Sequence, residues 1–560
     1  MQFSITYKRI AQALLIVGPL ASLAVSPTSN YDPINLIKIL LICSVAFFCF
    51  GLVLSSFKYS MHRLSKKFWI VVSLFILSMI STLFFSGAPF AQQVWGSFGR
   101  NTGFLTYFSL LLILISTALI QETLFYHKIV NMLLFTAIPM TVYCIVQYAG
   151  LDPVGWSEKH PFGTLGNINF SSAFFGISSI CAVALMFERK LSTTIRICLG
   201  LLVAVDMFIV LATGSIQGFM IFIAGTVLLI YLYMRSNIKY RLVKIPYILV
   251  SILGVIITVF GLSNKGPLAK FLFAPSIVFR TDYWHAGWVM TMQHPFFGVG
   301  FDSYGDWYRS SRGLLSTIRT GPGRISNTAH NIFLDISSNG GIPLISAYIL
   351  INFIAFRASI RVLKRDTQFH PYFAALLATW FGYMIFSSIS INQVGVGIWG
   401  WIFTGALIGY EIATRQTDKS ENANRSNVKS RKKGGVLPAI AGIFAFIGVT
   451  IGFVLAYIPF NADMKYKTAL QTADLTKIVE STRVIGSTAF HLESALDLAV
   501  KNNFAGPARD LTIRLTSEYP LDYMGWKALY VLASSSQEEK ANAVNKLNQL
   551  DPFNKENTAP

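Results

Sequence analysis

Long apolar runs alternate with short polar segments along most of the chain. A helix needs about 20 apolar residues to cross a bilayer, and the runs predict thirteen such helices. An all-α, polytopic membrane protein is therefore expected, with a large loop at residues 263–341 between the ninth and tenth helices. The predicted spans are residues 10–26, 34–55, 68–85, 102–120, 129–149, 169–187, 195–212, 216–234, 246–262, 342–360, 371–390, 395–413 and 436–459.

The composition agrees with this pattern. Of the 560 residues, 53% are hydrophobic and 13% are charged, whereas a soluble protein carries about 25% charged residues. The formal net charge of +20 would suit a nucleic-acid-binding protein, but the basic residues collect in alternate short loops. Lysine and arginine stay on the cytoplasmic side of membrane proteins. The charge therefore indicates membrane orientation, and no nucleic-acid partner is expected.

The alternation of basic loops predicts a cytoplasmic amino terminus. Loop 263–341 and the tail after residue 460 then lie outside the cytoplasm. We divide the chain into a membrane core (1–414), a basic cytoplasmic linker (415–435), a final membrane helix (436–459) and a tail (460–560). The basic residues of the alternate loops are Lys58, Arg63, Lys66, Lys67, Lys128, Arg189, Lys190, Arg235, Lys239, Arg241, Lys244, Arg357, Arg361, Lys364 and Arg365, and the intervening short loops add Arg100 and Lys159.

The five cysteines carry no site signal. All of them lie in apolar runs, with no Cys-x-x-Cys pair and no cysteine–histidine spacing of a metal site. Packing as small hydrophobic residues is the favoured interpretation.

The large loop begins with an amphipathic helical pattern. Arg280, Trp284 and Trp288 recur every four residues, so one guanidinium and two indoles share a helix face. Tryptophan is enriched at the membrane interface, and such a helix is expected to lie along it. A glycine-rich turn, "FFGVGFDSYG", and a run of arginines follow. The alternative interpretation is an amphipathic loop whose arginines bind lipid head groups.

A histidine stands where this loop meets the tenth membrane helix. The stretch "TAHNIFLDISSNGGIP" (Thr328–Pro343) places His330 at the outer end of the helix, with Asn331 next to it. Asn331 can orient the imidazole, and Pro343 suits the first turn of the membrane segment. A lone histidine at a helix start is also often a cap or a polar contact, and that interpretation stays open.

The tail has the composition of a soluble helical domain. The segment Pro520–Asn554 resembles a tetratricopeptide-like helix pair, and residues 461–518 have room for one or two degenerate pairs. Such pairs usually present a concave binding surface. The tail is expected either to dock another molecule, such as a partner protein, or to act as a plain helical cap on the membrane domain.

The pattern of membrane spans and the motifs of the large loop resemble those of the O-antigen ligase/polymerase superfamily of bacterial membrane glycosyltransferases. The resemblance spans residues 10–413 and includes the ligase motif at His330, Asn331, Leu334 and Gly341. Three further segments resemble family loops: "WGSFGRNTGF" (Trp95–Phe104), "FGTLGNINF" (Phe162–Phe170) and "HPFFGVG" (His294–Gly300). One segment departs from the family, because "TGSIQGF" has Ile216 and Gln217 where many relatives have Ser-Arg.

The resemblance implies an enzyme of the bacterial plasma (inner) membrane. Its members transfer a glycan from an undecaprenyl-diphosphate carrier to an acceptor hydroxyl outside the cytoplasm. The departing diphosphate needs fixed cations, and the hydroxyl needs a base that titrates near neutral pH. We expect Arg280 to be the principal diphosphate ligand, His330 the base or acceptor-orienting group, and Asn331 to position His330. Secondary diphosphate-binding candidates are Arg100, Arg312, Arg319 and Gln217.

Attack opposite the leaving group implies inversion at the anomeric carbon. The outer loops contain no Asp-x-Asp pair; Asp302 and Asp306 lie four positions apart without further partners. We therefore predict metal-independent transfer that needs no cofactor.

Several alternatives remain open. The acceptor could be a lipid A core, a second lipid-linked repeat unit or a serine or threonine of a secreted protein, which correspond to a ligase, a polymerase and a protein O-oligosaccharyltransferase. The His330–Asn331 motif favours the first and the last. From another class comes a small-anion, bicarbonate-like transporter. Transporters place ionisable groups at mid-bilayer, where Lys38 and Asp206 are the main candidates.

Overall fold

The computed structural model describes residues 5–156, 160–238, 241–273, 275–423, 438–555 and 557. All of their regular secondary structure is helical. In chain order the helices are α1 (Ile5–Leu23), α2 (Asn35–Ser55), α3 (Phe57–Arg63), α4 (Lys66–Phe85), α5 (Phe90–Trp95), α6 (Phe104–Leu119), α7 (Thr123–Tyr148), α8 (Ile168–Met186), α9 (Thr193–Ala212), α10 (Gln217–Asn237), α11 (Arg241–Leu262), α12 (Ala269–Leu272), α13 (Pro275–Gln293), α14 (Tyr304–Ser311), α15 (Leu314–Thr320), α16 (Ile332–Arg365), α17 (Pro371–Ile389), α18 (Val394–Ala423), α19 (Pro438–Gln471), α20 (Leu475–Ser481), α21 (Ala489–Lys501), α22 (Ala505–Glu518), α23 (Tyr523–Val531) and α24 (Gln537–Leu550).

The membrane helices coincide with the predicted spans. Among the described residues, 11 helices are long and apolar enough to cross a bilayer. Two further predicted spans correspond to α1 and to α6, an apolar helix of 16 residues. The prediction of an all-α, multi-pass membrane protein is confirmed, whereas the count of thirteen and the sidedness remain predictions. We call the end of the bundle that carries residues 263–331 the loop face.

The bundle has a central and a peripheral layer. Every residue in the most apolar window of α18 is buried (100%), whereas the figure for α11 is 6%. A helix that is apolar all round belongs inside a bundle, whereas one that exposes most of its apolar side chains faces lipid. Helix α18 therefore lies at the centre of the bundle, and α11 lies at its edge.

A close helix pair joins α19 to the bundle. A Cβ atom on Gly51 of α2 would lie 2.0 Å from the Phe444 carbonyl oxygen, and one on Gly448 would lie 2.2 Å from the Phe47 carbonyl oxygen. Small residues let membrane helices approach until their backbones touch. These two glycines therefore hold α19, and the tail that continues from it, against α2.

The large loop packs its backbone directly on α16. Val299 N–H donates to the Ser338 carbonyl (2.8 Å), and Ile342 N–H donates to the Pro295 carbonyl (2.7 Å). At Gly341 the helix is interrupted, with φ of 72°. A Cβ there would lie 2.6 Å from the Pro295 oxygen, so both the backbone angle and the close approach require glycine. Pro343 follows in the first turn of the membrane segment, as predicted.

The predicted domain boundaries fall inside helices. Helix α18 continues to Ala423, past residue 414, and α19 runs without interruption from the predicted span into the tail. Of the predicted linker 415–435, residues 424–435 lie outside the described residues, as do Lys159 and Lys239. The domain division therefore stays a prediction.

The tail is anchored to the loop face as well as to α19. Asp463 near the end of α19 accepts hydrogen bonds from the Tyr31 and Asp32 N–H groups (2.7 and 3.1 Å). The rings of Phe98 and Phe490 stack with centroids 3.9 Å apart. Helices α21 and α22 pack on each other, as do α23 and α24. The resemblance to tetratricopeptide pairs remains a prediction, but the tail makes extensive contact with the membrane domain.

Candidate functional site

His330 lies in a tight turn immediately before α16. Its backbone is left-handed, with φ of 51°, which is uncommon for a residue that has a side chain. Two hydrogen bonds hold this turn: the His330 N–H donates to Thr328 Oγ1 (2.9 Å), and the Ala329 N–H donates to Asp335 Oδ1 (2.7 Å). Strained backbone persists only where its surroundings impose it. The position of the imidazole is thus determined by the fold.

Asn331 is the N-cap of α16. Its side-chain oxygen accepts hydrogen bonds from the N–H groups of Phe333 (3.0 Å) and Leu334 (3.2 Å). Asparagine at this position satisfies donors that the first helical turn leaves unpaired. Among the described residues its amide makes no hydrogen bond to the His330 ring. The side chain of Asn331 therefore caps the first turn of α16, and its predicted role in positioning His330 stays a prediction.

The imidazole of His330 packs against Tyr283 of α13. The two rings are nearly parallel, at 28°, with centroids 5.3 Å apart. The pKa of His330 is lowered to about 4, mainly because the ring is buried and also because of the positive charges of Arg280 and Arg100. A histidine with this pKa is neutral at pH 7 and has a nitrogen that can accept a proton.

Arg280 carries an unpaired positive charge next to this imidazole. It lies on α13, one turn before Tyr283, and is half-buried. Its guanidinium makes no hydrogen bond or ion pair with any residue that the structure describes. Burial lowers the pKa of Arg280, yet arginine remains protonated in proteins. Since a half-buried cation without a partner is unfavourable, this geometry suits an anionic ligand.

Arg100 adds a second positive charge, which already forms an ion pair with Asp302. Its Nη1 donates to the Asn327 carbonyl (2.9 Å), and its Nε lies 3.3 Å from Asp302 Oδ1. Asp302 also accepts hydrogen bonds from the backbone of Ser97 (2.8 Å) and of Thr102 (3.1 Å). The predicted family loop around Arg100 is thereby joined to the large loop, and the charge of Arg100 reaches His330.

The other secondary candidates lie apart from this centre. Arg312 is buried and contacts Asp551 of the tail through Nη2 (2.7 Å). Arg319 forms a partly exposed ion pair with Asp282 (3.0 Å). Gln217 begins α10; it is buried, and its amide nitrogen and oxygen have no hydrogen-bond partner among the described residues. None of these three has a described contact with His330 or Arg280.

Two residues near the centre were not among the predicted site residues. Tyr283 stacks on His330; its pKa is raised by burial, against the opposing charge of Arg324. The exposed Arg324 places its guanidinium 4.2 Å from the centroid of the Phe279 ring. Phe279 and Tyr283 lie four residues apart and flank Arg280 on α13. That spacing was visible in the sequence, but the approach of Arg324 from a distant loop was not.

Lys38 and Asp206, which favoured the transporter alternative, are satisfied within the bundle. Lys38 Nζ donates to the Ser22 carbonyl (2.9 Å). Asp206 accepts hydrogen bonds from the hydroxyls of Thr141 (2.6 Å) and Ser178 (3.1 Å). Each group has separate partners, so the described contacts do not link the two into one relay.

The described residues contain no group of three His, Cys, Asp or Glu side chains arranged to hold a metal ion. The prediction of metal-independent transfer is left to experiment.

A comparison with family models identifies the domain. Residues 172–349 match the model described as O-antigen ligase (Wzy_C). A search of curated proteins finds no match. The matched range contains Arg280, His330 and Gly341, and it implies a membrane enzyme of the glycosyltransferase type that acts on lipid-linked glycans. Residues 172–349 therefore form an O-antigen ligase domain, and this match supports the resemblance to the O-antigen ligase/polymerase superfamily.

Proposed function

We propose that the protein transfers a glycan from undecaprenyl diphosphate to an acceptor hydroxyl at the extracytoplasmic face of a bacterial inner membrane. The loop face would then lie outside and the amino terminus in the cytoplasm. One observation carries the proposal: the guanidinium of Arg280, which has no partner among the described residues, lies beside a neutral imidazole, His330, at the end of a membrane helix. The two groups match the two chemical needs of the reaction, a cation for the leaving diphosphate and a base for the acceptor.

Arg280 is the proposed diphosphate ligand. Guanidinium binds phosphate oxygens through two parallel hydrogen bonds, and all its donors are available in the described structure. The exposed Arg324 lies near enough to Tyr283 to be a second ligand. Arg100 is a weaker candidate than Arg280, because Asp302 already pairs with its charge. Arg312 and Arg319 rank lower, because carboxylates already neutralise them.

His330 is the proposed base. A pKa of about 4 makes it a weak base while the donor is absent. A bound diphosphate would offset the charges of Arg280 and Arg100, which would raise the pKa of His330. The base thus becomes stronger only once the donor is in place. This order favours the acceptor hydroxyl over premature activation of water.

In the proposed step, the acceptor oxygen forms a bond to the anomeric carbon while the bond from that carbon to the diphosphate oxygen breaks. The hydroxyl proton passes to the imidazole of His330. The electron pair leaves with undecaprenyl diphosphate, whose charge Arg280 stabilises. Because attack comes from the side opposite the leaving group, the anomeric configuration inverts.

The proposal is tested with purified full-length protein, a polyprenyl-diphosphate glycan and three acceptors: a lipid A core, a second lipid-linked repeat and a serine-containing protein. We expect His330→Ala to lower turnover by about 100- to 10,000-fold. Arg483→Ala is the control, because this exposed arginine pairs with Asp510 in the tail (2.8 Å), away from the candidate site. Wild-type turnover by the His330 variant would refute its role. The acceptor that is consumed distinguishes ligase, polymerase and protein glycosylation.

A further inference from the structure

An ion pair buried between the large loop and the tail links the C-terminal end of the chain to the candidate site. Asp551 and Arg312 both have side chains that are 0% exposed, and Arg312 Nη2 contacts both carboxylate oxygens (2.7 and 2.8 Å). Arg309 Nη1 approaches the same carboxylate at 3.1 Å, and its guanidinium lies 4.1 Å from the Tyr523 ring centroid. One tail carboxylate thus orients two arginines of the loop.

The same two arginines hold the segment that leads to His330. Arg312 Nη1 donates to the Arg324 carbonyl (3.0 Å), and Arg309 Nη1 donates to the Pro322 carbonyl (2.9 Å). Residues 321–331 form no regular helix, so these carbonyls depend on side chains for their partners. Arg100 donates to a carbonyl further along the same segment, that of Asn327. The segment ends in the left-handed backbone of His330.

We propose that Asp551 is a positioning residue for glycan transfer, which it serves by orienting Arg312 and Arg309 so that they hold residues 322–330 and thereby His330. The inference rests on the proposed function, and it makes the tail part of the site instead of only a docking module or cap. A strained turn keeps its shape only while the contacts around it impose that shape. A displacement of about 1 Å can slow an enzyme by about 100-fold.

Two variants test this chain of contacts. Asp551→Asn removes the charge that orients the arginines. Arg312→Lys keeps a cation beside Asp551 but cannot also donate to the Pro322 and Arg324 carbonyls. We expect both to lower kcat by about 10- to 100-fold and to change the donor KM less than kcat, because the principal proposed ligand, Arg280, lies on α13 and outside the displaced segment. Asp551→Glu should recover part of the loss. Asp510→Asn, which breaks an exposed tail ion pair, should behave as wild type.

Hydrogen exchange in residues 322–331 gives a second measurement that does not need turnover. We expect faster exchange in Asp551→Asn and Arg312→Lys and unchanged exchange in Asp510→Asn. Unchanged exchange in a folded Arg312→Lys protein overturns the proposal, even if Asp551→Asn fails to fold. Wild-type kcat in that variant overturns it as well. If the wild-type protein transfers no glycan, the proposed function fails, and the exchange result still decides the structural link.

Discussion

Two regions of the large loop differ in how their buried charges are neutralised. Around His330, Arg280 is unpaired among the described residues, and the histidine is held neutral. Around α14, the arginines are matched by Asp551, and the carboxyls of Asp306 and Glu493 have raised pKa values. The second region is complete without a ligand, whereas the first has a cation in need of one. We therefore distinguish a proposed binding centre around His330 from a structural interface around α14.

The largest expected effect is on turnover at the unpaired region. We expect Arg280→Gln to lower turnover by about 100- to 1,000-fold, since it removes a fixed cation that faces the developing charge. The free energy of unfolding should not fall, because no described partner is lost. Transfer rates and thermal unfolding of the same preparation measure both. A variant that loses stability but keeps its turnover would reverse the assignment of this region.

At the paired region we expect a loss of stability, which Arg280→Gln should not cause. Arg312→Gln leaves Asp551 buried with only Arg309, and removal of one partner from a buried pair costs about 3 kcal/mol or more. The thermal unfolding midpoint should therefore fall. Asp510→Asn is the matched control, since its pair with Arg483 is exposed and such pairs contribute little. Equal midpoints for the two variants would show that the buried pair stabilises nothing.

The pH dependence of turnover tests whether the charge of Arg280 controls the pKa of His330. The pKa of His330 is lowered to about 4, below its unfolded value of about 6.5, so the active neutral form persists down to acid pH. The acid limb of kcat/KM should lie near pH 4 and shift upward in Arg280→Gln, which removes a neighbouring positive charge. The acid limb of kcat should lie above that of kcat/KM, because the bound diphosphate raises this pKa. Identical limbs would contradict the proposed coupling.

The loop–tail interface should show a smaller pH effect. Burial raises the pKa of Asp306 to about 7, and burial with the hydrogen bond to Asp522 raises that of Glu493 to about 9. Both exceed the unfolded values of about 4, so the protonated forms favour folding. Stability from these groups is fully present below about pH 4 and is lost as pH rises through 7 and 9. We expect the unfolding midpoint to fall by a few degrees from pH 6 to pH 9, and the fall to shrink in Glu493→Gln.

The smallest effect should come from chelation. If transfer is metal-independent, EDTA should leave the rate within about twofold, since the leaving group is stabilised by arginine. Activity that is lost in EDTA and restored by magnesium would contradict this expectation. The same experiment with Arg280→Gln would show whether a metal ion can replace the missing guanidinium.

The residues at the centre of the proposed site could be predicted from the sequence because their signals are local. His330 stands next to an apolar run, and Arg280 lies in an amphipathic pattern with two tryptophans. The roles of Asn331 and Arg312 were less accessible. Asparagine before a helix is equally consistent with capping and with side-chain positioning, and only coordinates show that its oxygen accepts from Phe333 and Leu334. Arg312 stays a predicted phosphate ligand, and only the structure shows that its guanidinium contacts Asp551, 239 residues away.

The helical membrane architecture and the large loop follow from the sequence, because hydrophobic run length is a property of neighbouring residues. The cation and base proposed from the motif spacing, Arg280 and His330, remain predictions. Among the described residues, only the tertiary structure shows which loop arginines have a carboxylate partner. Whether a guanidinium can bind a ligand depends on the carboxylates that fold against it, and Asp551 reaches Arg312 only after the tail has packed on the loop face. Charge pairing between distant segments leaves no periodic signal in the chain.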